Sequence, residues 1–499
     1  MRLGRNLLAG LANSVWAALL GLLVVPQYLK YLGIEAYGLI GVFMTTQALL
    51  QLLDMGLAST MNREVARCST TSKMQEARNL LHTLAVLYWG TAIAIALTIV
   101  ALAPLIAEYW LKSKTLSEDD ISSAVMLMGL VIACRWPIGI YQGVLIGAQR
   151  LTVASSVSAL MVTLSSLGAI VVLAYVSPTI QAFFIWQAGV GLFHAATMRW
   201  AAWRVIGQQV GQRKFDLDAL KSIWRFTAGM SSIALSSILF TQMDKVILSK
   251  MLELNDFGHY MLATMVASCL YIVVTPLFNV VFPRFSALAV TGEIETLKNT
   301  YRLATKILST LLFPLAMLLV FFSEPLVTIW TNDRALAEDV APQIALLAMG
   351  SAFHGIMFLP YALQLAFGMT WMPFAINITL MIFSAPLTII LVLKYGGLGG
   401  AIGWAFLQTF YLLWGTWLTH RHIFQGLGRK WLVENVSFPL AVSSLSMAAI
   451  WYLANRYLTT PIDRLAVGLL GALLVSLGMF NASKSTIKIR DLLILLDRH

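Results

Sequence analysis

Arg135, Asp54, Asp244, Lys245, His194 and His354 are ionisable residues that lie inside long apolar stretches of the chain. An ionisable group at mid-bilayer costs roughly 3 kcal/mol on insertion scales, so each marks a functional candidate. Neutral polar residues accompany them at helical spacing. Residues three, four or seven apart share a helix face. That rule groups Gln47, Gln51 and Asp54; Arg135, Gln142 and Gln149; Gln187 and His194; and Ser237, Thr241 and Asp244. It also groups Thr264, Ser268, Tyr271 and Thr275, then Ser351, His354 and Tyr361. Such stripes offer amide, hydroxyl, imidazole and charged partners to a polar cargo at membrane depth. They predict a hydrophilic passage whose candidate lining residues are Asp54, Gln51, Arg135, Gln142, Asp244, Lys245, His354, Tyr361 and His194.

Each candidate also has a purely structural use. Arg135 must line a cavity or meet a carboxylate, since little else offsets its cost. Asp54 and Asp244 serve equally well as hydrogen-bond partners that lock helices together. Neighbours on a helix point about 100° apart, so Lys245 is expected not to pair with Asp244 but to snorkel towards the outer interface. His194 and His354 can bind sugar or carry protons, or sit as satisfied core groups. Arg63 lies opposite the Asp54 face and reads as a cytoplasmic anchor. Arg284 follows Pro283 and is expected to end its helix. Both arginines are candidates for the cytoplasmic mouth.

Catalytic chemistry finds no foothold. The acidic cluster Ser117-Glu118-Asp119-Asp120 sits at a helix start, where a Ser cap and early acids suit the helix dipole. No Gly-rich phosphate loop, Ser/His/Asp set or HExxH motif occurs. Cys68, Cys134 and Cys269 form neither a disulfide framework nor metal-ligand spacing. No catalytic residue, no metal and no resident cofactor are expected; the remaining possibility is a coupling ion, H+ or Na+.

The elements that must position these residues are membrane helices. The 499-residue chain is 59% hydrophobic and 11% charged, and its mean hydropathy is +0.78. About 14 apolar spans, each about 20 residues or longer, are able to cross ~30 Å of hydrocarbon. They run roughly over 7–29, 37–61, 80–107, 121–147, 151–176, 179–198, 226–249, 257–283, 303–330, 339–367, 371–393, 398–418, 436–455 and 465–481. The net charge of +11 gathers in alternate connections, such as Arg63, Arg67, Lys73 and Arg78, or Arg199, Arg204, Arg213 and Lys214. That is the positive-inside pattern. It places both termini in the cytoplasm and removes nucleic acid as an explanation of the charge. The opening run ends in Pro26-Gln27-Tyr28 rather than a small-residue cleavage site, and reads as an uncleaved first helix.

Landmarks recur at an offset near 220. Tyr37-Gly38 matches Phe257-Gly258, Arg63 matches Arg284, Asn79 matches Asn299 and Trp110 matches Trp330. Gly147 matches Gly368, Tyr175 matches Tyr395, and Thr197-Met198-Arg199 matches Thr419-His420-Arg421. Six spans per unit put both halves the same way up, as in parallel-repeat transporters with a site at the repeat interface. The expected fold is therefore all-α and polytopic. A six-helix lobe covers residues 1–198, and a connector with an interfacial helix covers 199–225. A second six-helix lobe covers 226–418, two further spans cover 419–482, and an amphipathic tail covers 483–499.

Several segments together resemble Wzx-type polysaccharide flippases of the MOP exporter superfamily. Pro26-Gln27-Tyr28-Leu29-Lys30-Tyr31-Leu32-Gly33 and Glu35-Ala36-Tyr37-Gly38-Leu39 are similar to their first hairpin. Asp54-Met55-Gly56-Leu57 with Asn62-Arg63 resembles the end of their second helix, and Leu145-Ile146-Gly147-Ala148-Gln149-Arg150 the turn after the fourth. Gln242-Met243-Asp244-Lys245-Val246-Ile247-Leu248, followed by Phe257-Gly258-His259-Tyr260, resembles their seventh helix and following loop. The resemblance implies a V-shaped two-lobed exporter in the bacterial plasma membrane. Its cargo would be an undecaprenyl-pyrophosphate-linked oligosaccharide, an O-antigen or exopolysaccharide repeat unit. Its partners would be membrane lipids and polysaccharide polymerase or assembly proteins. The resemblance adds weight to Asp54, Arg63, Asp244 and Arg284, and suggests that the two last spans shelter the lipid tail. One departure stands out: no charge lies between Arg5 and Lys30, where related drug and peptidoglycan-precursor transporters carry one. The alternatives are a cation-coupled drug or metabolite antiporter of the same architecture and, more remotely, an integral-membrane polymerase, ligase or glycosyltransferase. The outer loops are too short for the latter.

Overall fold

The computed structural model describes the backbone of residues 2–54, 56–70, 74–207 and 217–483, and the side chains of 12–54, 56–69, 74–207 and 234–482. The amphipathic tail and residues 208–216 of the connector lie outside the described residues. Ten of the described helical stretches are long and apolar enough to cross a bilayer, and no strand ladder forms among the described residues, only an isolated bridge between Lys112 and Glu253. The chain is a multi-pass, all-α membrane protein, an arrangement that satisfies most backbone polar groups within their own helices.

Two compact units divide at Gly258. The first contains α1 (Arg2–Leu50), α2 (Leu57–Thr70), α3 (Met74–Tyr109), α4 (Glu118–Arg135), α5 (Ile138–Gly147), α6 (Leu151–Tyr175), α7 (Ile180–Ile206) and α8 (Leu217–Met251). The division falls inside α9 (Leu254–Ser268). The second unit continues with α10 (Tyr271–Thr291), α11 (Ile294–Thr331), α12 (Arg334–Ile356), α13 (Phe358–Ala366), α14 (Trp371–Tyr395) and α15 (Gly397–His422). It ends with α16 (Leu427–Leu432), α17 (Phe438–Tyr457) and α18 (Pro461–Ser483). Contact thus groups α8 with the first unit, whereas the sequence reading opens the second lobe with it.

The duplication is visible in the elements. α6 and α14 are both 25 residues long and start 220 positions apart, 371 less 151. α5 and α13 begin at Ile138 and Phe358, again 220 apart. α17 and α18 pack on each other and on α11, where Gly468 lies against the Phe322 ring and Leu318.

Several trial spans are broken where the sequence reading runs them straight. The first two join into one helix that turns at Gly33 (φ 78°, ψ 173°), a conformation that costs glycine little. The second then stops at Leu50, and Gln51–Asp54 form one turn of 3-10 helix before α2. Pro137, which has no N–H to donate, separates α4 from α5. The eighth span divides between Ser268 and Tyr271. Arg284 does not end its helix: α10 runs through Pro276 and Pro283 to Thr291. A proline removes one backbone bond, and neighbouring transmembrane helices tolerate that.

The Ser117 cap matches expectation, its hydroxyl accepting from the Asp120 N–H at 3.1 Å. Beside it, Glu35 draws the α3–α4 connection onto α1. Its carboxylate accepts from the Ser113 hydroxyl, the Thr115 N–H at 3.1 Å and the Thr115 hydroxyl at 2.7 Å. Lys114 Nζ meets Glu253 at 2.6 Å, and the Leu254 N–H donates to Lys112 O at 2.7 Å.

Candidate functional site

The first unit lines a partly open cavity of about 1150 Å3. Small-molecule sites usually occupy roughly 300–1,000 Å3, so this one has room for a headgroup larger than a typical metabolite. Its polar lining comes from Gln47, Gln51, Asp54, Arg135, Gln142 and His194. Five of the nine predicted passage residues therefore meet in one place: Asp54, Gln51, Arg135, Gln142 and His194.

Local sequence explains how they meet. Gly143 and Gly147, four residues apart on α5, let that helix close on α2. A Cβ added to Gly143 would lie 2.5 Å from Ala58 O, and one on Gly147 2.3 Å from Asn62 O. Small residues at such spacing allow close backbone approach between membrane helices. The contact brings the start of α2, and Asp54 just before it, beside Gln142. Asp54 accepts a hydrogen bond from the Tyr88 hydroxyl of α3 and from the backbone N–H groups of Gly56 and Ala58. It therefore caps α2 while keeping a place on the cavity wall.

Arg135 ends α4 just before Pro137, and its stem lies over Gly191 of α7, where an added Cβ would come within 3.0 Å of Cγ. Its Nη2 donates to Gln187 Oε1 and, at 3.5 Å, to Ser165 Oγ. The guanidinium carbon stands 5.7 Å from the centre of the Phe43 ring, within cation–π range. Ser165 Oγ also donates to Gln187 Oε1, at 2.5 Å. Every one of these partners is neutral. Arg135 is thus a largely buried positive charge steadied by an amide, a hydroxyl and a ring, with its open side on the cavity. His194 Nε2 and Trp136 Nε1, both from lining residues, are buried without a hydrogen-bond partner among the described residues.

The remaining candidates lie elsewhere. Asp244 and Lys245 are on α8 in the first unit and are not lining residues of the cavity. Contrary to the helical-wheel expectation, they pair. Lys245 Nζ lies 3.0 Å from Asp244 Oδ1 and 3.1 Å from Oδ2, and it donates to Thr241 O at 3.0 Å. The 100° rule places Cβ atoms; a four-carbon stem folding back along the helix overcomes it. Arg63 is half-exposed on α2, 2.9 Å from Glu64 Oε1; Glu64 Oε2 lies 2.8 Å from Arg67, which reaches Glu76 at 3.2 Å. Partial burial pushes the Glu64 carboxyl up, but the hydrogen bonds and charges of Arg67 and Arg63 outweigh it and hold it below the ordinary carboxylate range. Arg284 lies within α10, its Nε buried without a hydrogen-bond partner among the described residues.

His354 and Tyr361 belong to an aromatic cluster in the second unit. The Tyr271 hydroxyl and His354 Nδ1 are 2.7 Å apart, and Tyr361 stacks on Phe278 at 6.0 Å between ring centres. Tyr88, Gln187, Ser165 and Phe43 escaped the candidate set. Gln187 was legible from its seven-residue spacing to His194. Tyr88 and Phe43 carry no sequence signal that separates them from core aromatics.

A family model described as polysaccharide biosynthesis protein matches residues 3–289, more than half of the chain. The chain belongs to that family. Within known proteins, this family member is 26% identical over 198 residues to the succinoglycan biosynthesis transport protein ExoT of Rhizobium meliloti (strain 1021). That alignment takes in 39% of either protein, so it spans about two fifths of the relative's length. Among solved structures it resembles the lipid II flippase MurJ in an inward closed conformation, with a TM-score of 0.71 and 14% identity over 97% of this chain and 99% of the other. It also resembles an inward-facing MATE-family multidrug transporter of the MOP superfamily, with a TM-score of 0.64 and 14% identity over 84% of this chain and 94% of the other. These likenesses give the fold, which is that of the MOP-superfamily transporters. The proteins named are transporters and flippases, not enzymes.

Proposed function

We propose that this polysaccharide biosynthesis family member is a flippase. It carries an undecaprenyl-pyrophosphate-linked oligosaccharide, an O-antigen or exopolysaccharide repeat unit, from the inner to the outer leaflet of the bacterial plasma membrane by alternating access. Both termini are cytoplasmic on this reading. The observation that carries it is Arg135, a cation facing a roomy cavity whose hydrogen-bond and ring partners among the described residues are all neutral. A diphosphate meets that guanidinium with charge-assisted, bidentate hydrogen bonds, while Gln47, Gln51, Gln142 and His194 offer partners to the adjoining sugar. The isoprenyl tail stays in lipid and needs no site of its own in the cavity. Asp54 already accepts from Tyr88 and from two backbone N–H groups, whereas the hydrogen bonds of Arg135 run through Nη2 alone among the described residues, so the guanidinium keeps the greater hydrogen-bonding capacity and favours an anionic headgroup.

The test is genetic and chemical. Deleting the gene should abolish surface polysaccharide and leave lipid-linked oligosaccharide accumulating on the cytoplasmic side. Complementation with Arg135→Ala should leave that defect in place at normal protein level. Unchanged surface glycan in the deletion strain, with no redundant transporter present, would refute the flippase reading.

A further inference from the structure

Arg135 is held in place without being neutralised. Gln187, on α7, is buried, and its Oε1 accepts from Arg135 Nη2. Ser165, on α6, decides which end of that amide faces the guanidinium. Its hydroxyl donates to the same Oε1 at 2.5 Å, and its backbone carbonyl accepts from Gln187 Nε2 at 3.4 Å. Phe43, on α1, covers the guanidinium, and Gly191 makes room for the stem. The side chain is therefore fixed from three other helices by a dipole, a hydroxyl and a ring, none of which carries a counter-charge. The contrast within the same unit is Lys245, also half-buried, which folds back on the Asp244 carboxylate at 3.0 Å. One cation is paired with an acid; the other is only oriented.

We infer that Gln187 sets the anion affinity of the cavity. It positions Arg135 for the cargo's diphosphate and, being uncharged, leaves the guanidinium's charge to be met by the ligand. The inference rests on the flippase reading and names a residue on which that reading's recognition of cargo depends. A carboxylate side chain of the same length would satisfy Nη2 at least as well, but it would pair with the cation before any cargo arrived. Charges withdrawn from water attract strongly at contact distance, so a diphosphate would then compete with an anion already in place. An apolar side chain of that length has the opposite fault. It leaves the cation unneutralised but unsecured, and ordering it on binding costs affinity. Of the three, only the amide orients without neutralising. The arrangement lowers stability, because a buried charge lacking a counter-charge burdens the fold, and stability and affinity should therefore move in opposite directions when that charge is paired.

The experiment measures binding of bare undecaprenyl pyrophosphate to the full chain in lipid nanodiscs, beside the melting temperature of each variant. Gln187→Glu should bind about a hundredfold more weakly than wild type yet melt at a higher temperature, because the buried cation gains a partner. Gln187→Met, similar in length but without an acceptor, should bind about tenfold more weakly. Added to Arg135→Gln, the same change should weaken binding no further, since its effect runs through the guanidinium. Wild-type affinity in Gln187→Glu overturns the inference, as does a Gln187→Met effect of equal size with and without Arg135. Weaker binding of Gln187→Glu together with a lower melting temperature also overturns it, since that is the mark of a packing residue. Gln187→Glu is the variant expected to fold best, so it carries the test if Gln187→Met is not recovered. Wild type that does not bind the lipid defeats the flippase reading and this inference with it; wild type that binds while the variants match it defeats only the role of Gln187.

Discussion

The two units share a pattern of helices but differ in what they place on corresponding ones. In the first, the α4–α5 break presents Arg135 and Gln142 to a cavity whose other walls carry Gln47, Gln51, Asp54 and His194. In the second, the corresponding α12–α13 break presents His354, Phe358 and Tyr361 to the rings of α10. Duplicated scaffolds begin with equal halves, and here the chemistry has diverged while the frame has not.

The largest expected effect separates paired from unpaired charge inside the first unit. Lys245→Met takes the ammonium away from the buried Asp244 carboxylate, which should cost about 3–5 kcal/mol. Combining it with Asp244→Asn should recover most of that loss, and thermal unfolding in detergent reads both variants. An undiminished melting temperature in the single variant would show that the pair is not structural. The next contrast concerns the frame. Gly143→Leu should force α5 off α2 and cost about 1–3 kcal/mol or prevent folding. The equivalent-site change Leu363→Ile, with similar volume in the second unit, should stay under about 1.5 kcal/mol. Equal losses at both positions would erase the distinction between a glycine-mediated contact and ordinary packing.

Tyr88→Phe is expected to act on transport through Asp54, removing a hydrogen bond to a charged group worth about 1.5–3 kcal/mol. Surface glycan should fall several-fold while the protein still reaches the membrane; a normal level would reduce Asp54 to its capping role. The smallest effect lies outside the membrane. Glu64→Gln should cost no more than about 1 kcal/mol, since its arginine partners are half-exposed. Glu64 titrates lower in the folded protein than the ordinary ~4.3. Its contribution is therefore present above that value and disappears as pH falls through the lowered folded one. Wild type and Glu64→Gln should then differ slightly at pH 7 and converge in strong acid.

Much of this was legible in the chain. Apolar spans, the 220-residue offset and the seven-residue spacing of Arg135 and Gln142 all express helical periodicity and membrane thickness, which act locally. What periodicity does not carry is where a helix breaks and where a long side chain ends. The 3-10 turn at Gln51–Asp54 depends on Asp54 capping the next helix, and Arg284 lies inside α10 because its prolines are tolerated by neighbours. The Lys245–Asp244 contact is made by the tip of a flexible stem. Phe278 and Phe282 spell the same letters as core phenylalanines, and only the parallel stacking of their rings and their half-exposure set them apart.

The central claim is that Arg135 is the anion-holding charge of the first unit. Its direct test is the binding of bare undecaprenyl pyrophosphate to purified wild type and Arg135→Gln in nanodiscs, measured beside their melting temperatures. The account predicts about a hundredfold weaker binding, near 2.8 kcal/mol, with a melting temperature no lower than wild type, because a buried charge lacking a carboxylate partner adds no stability. Unchanged affinity in a folded Arg135→Gln protein would contradict it.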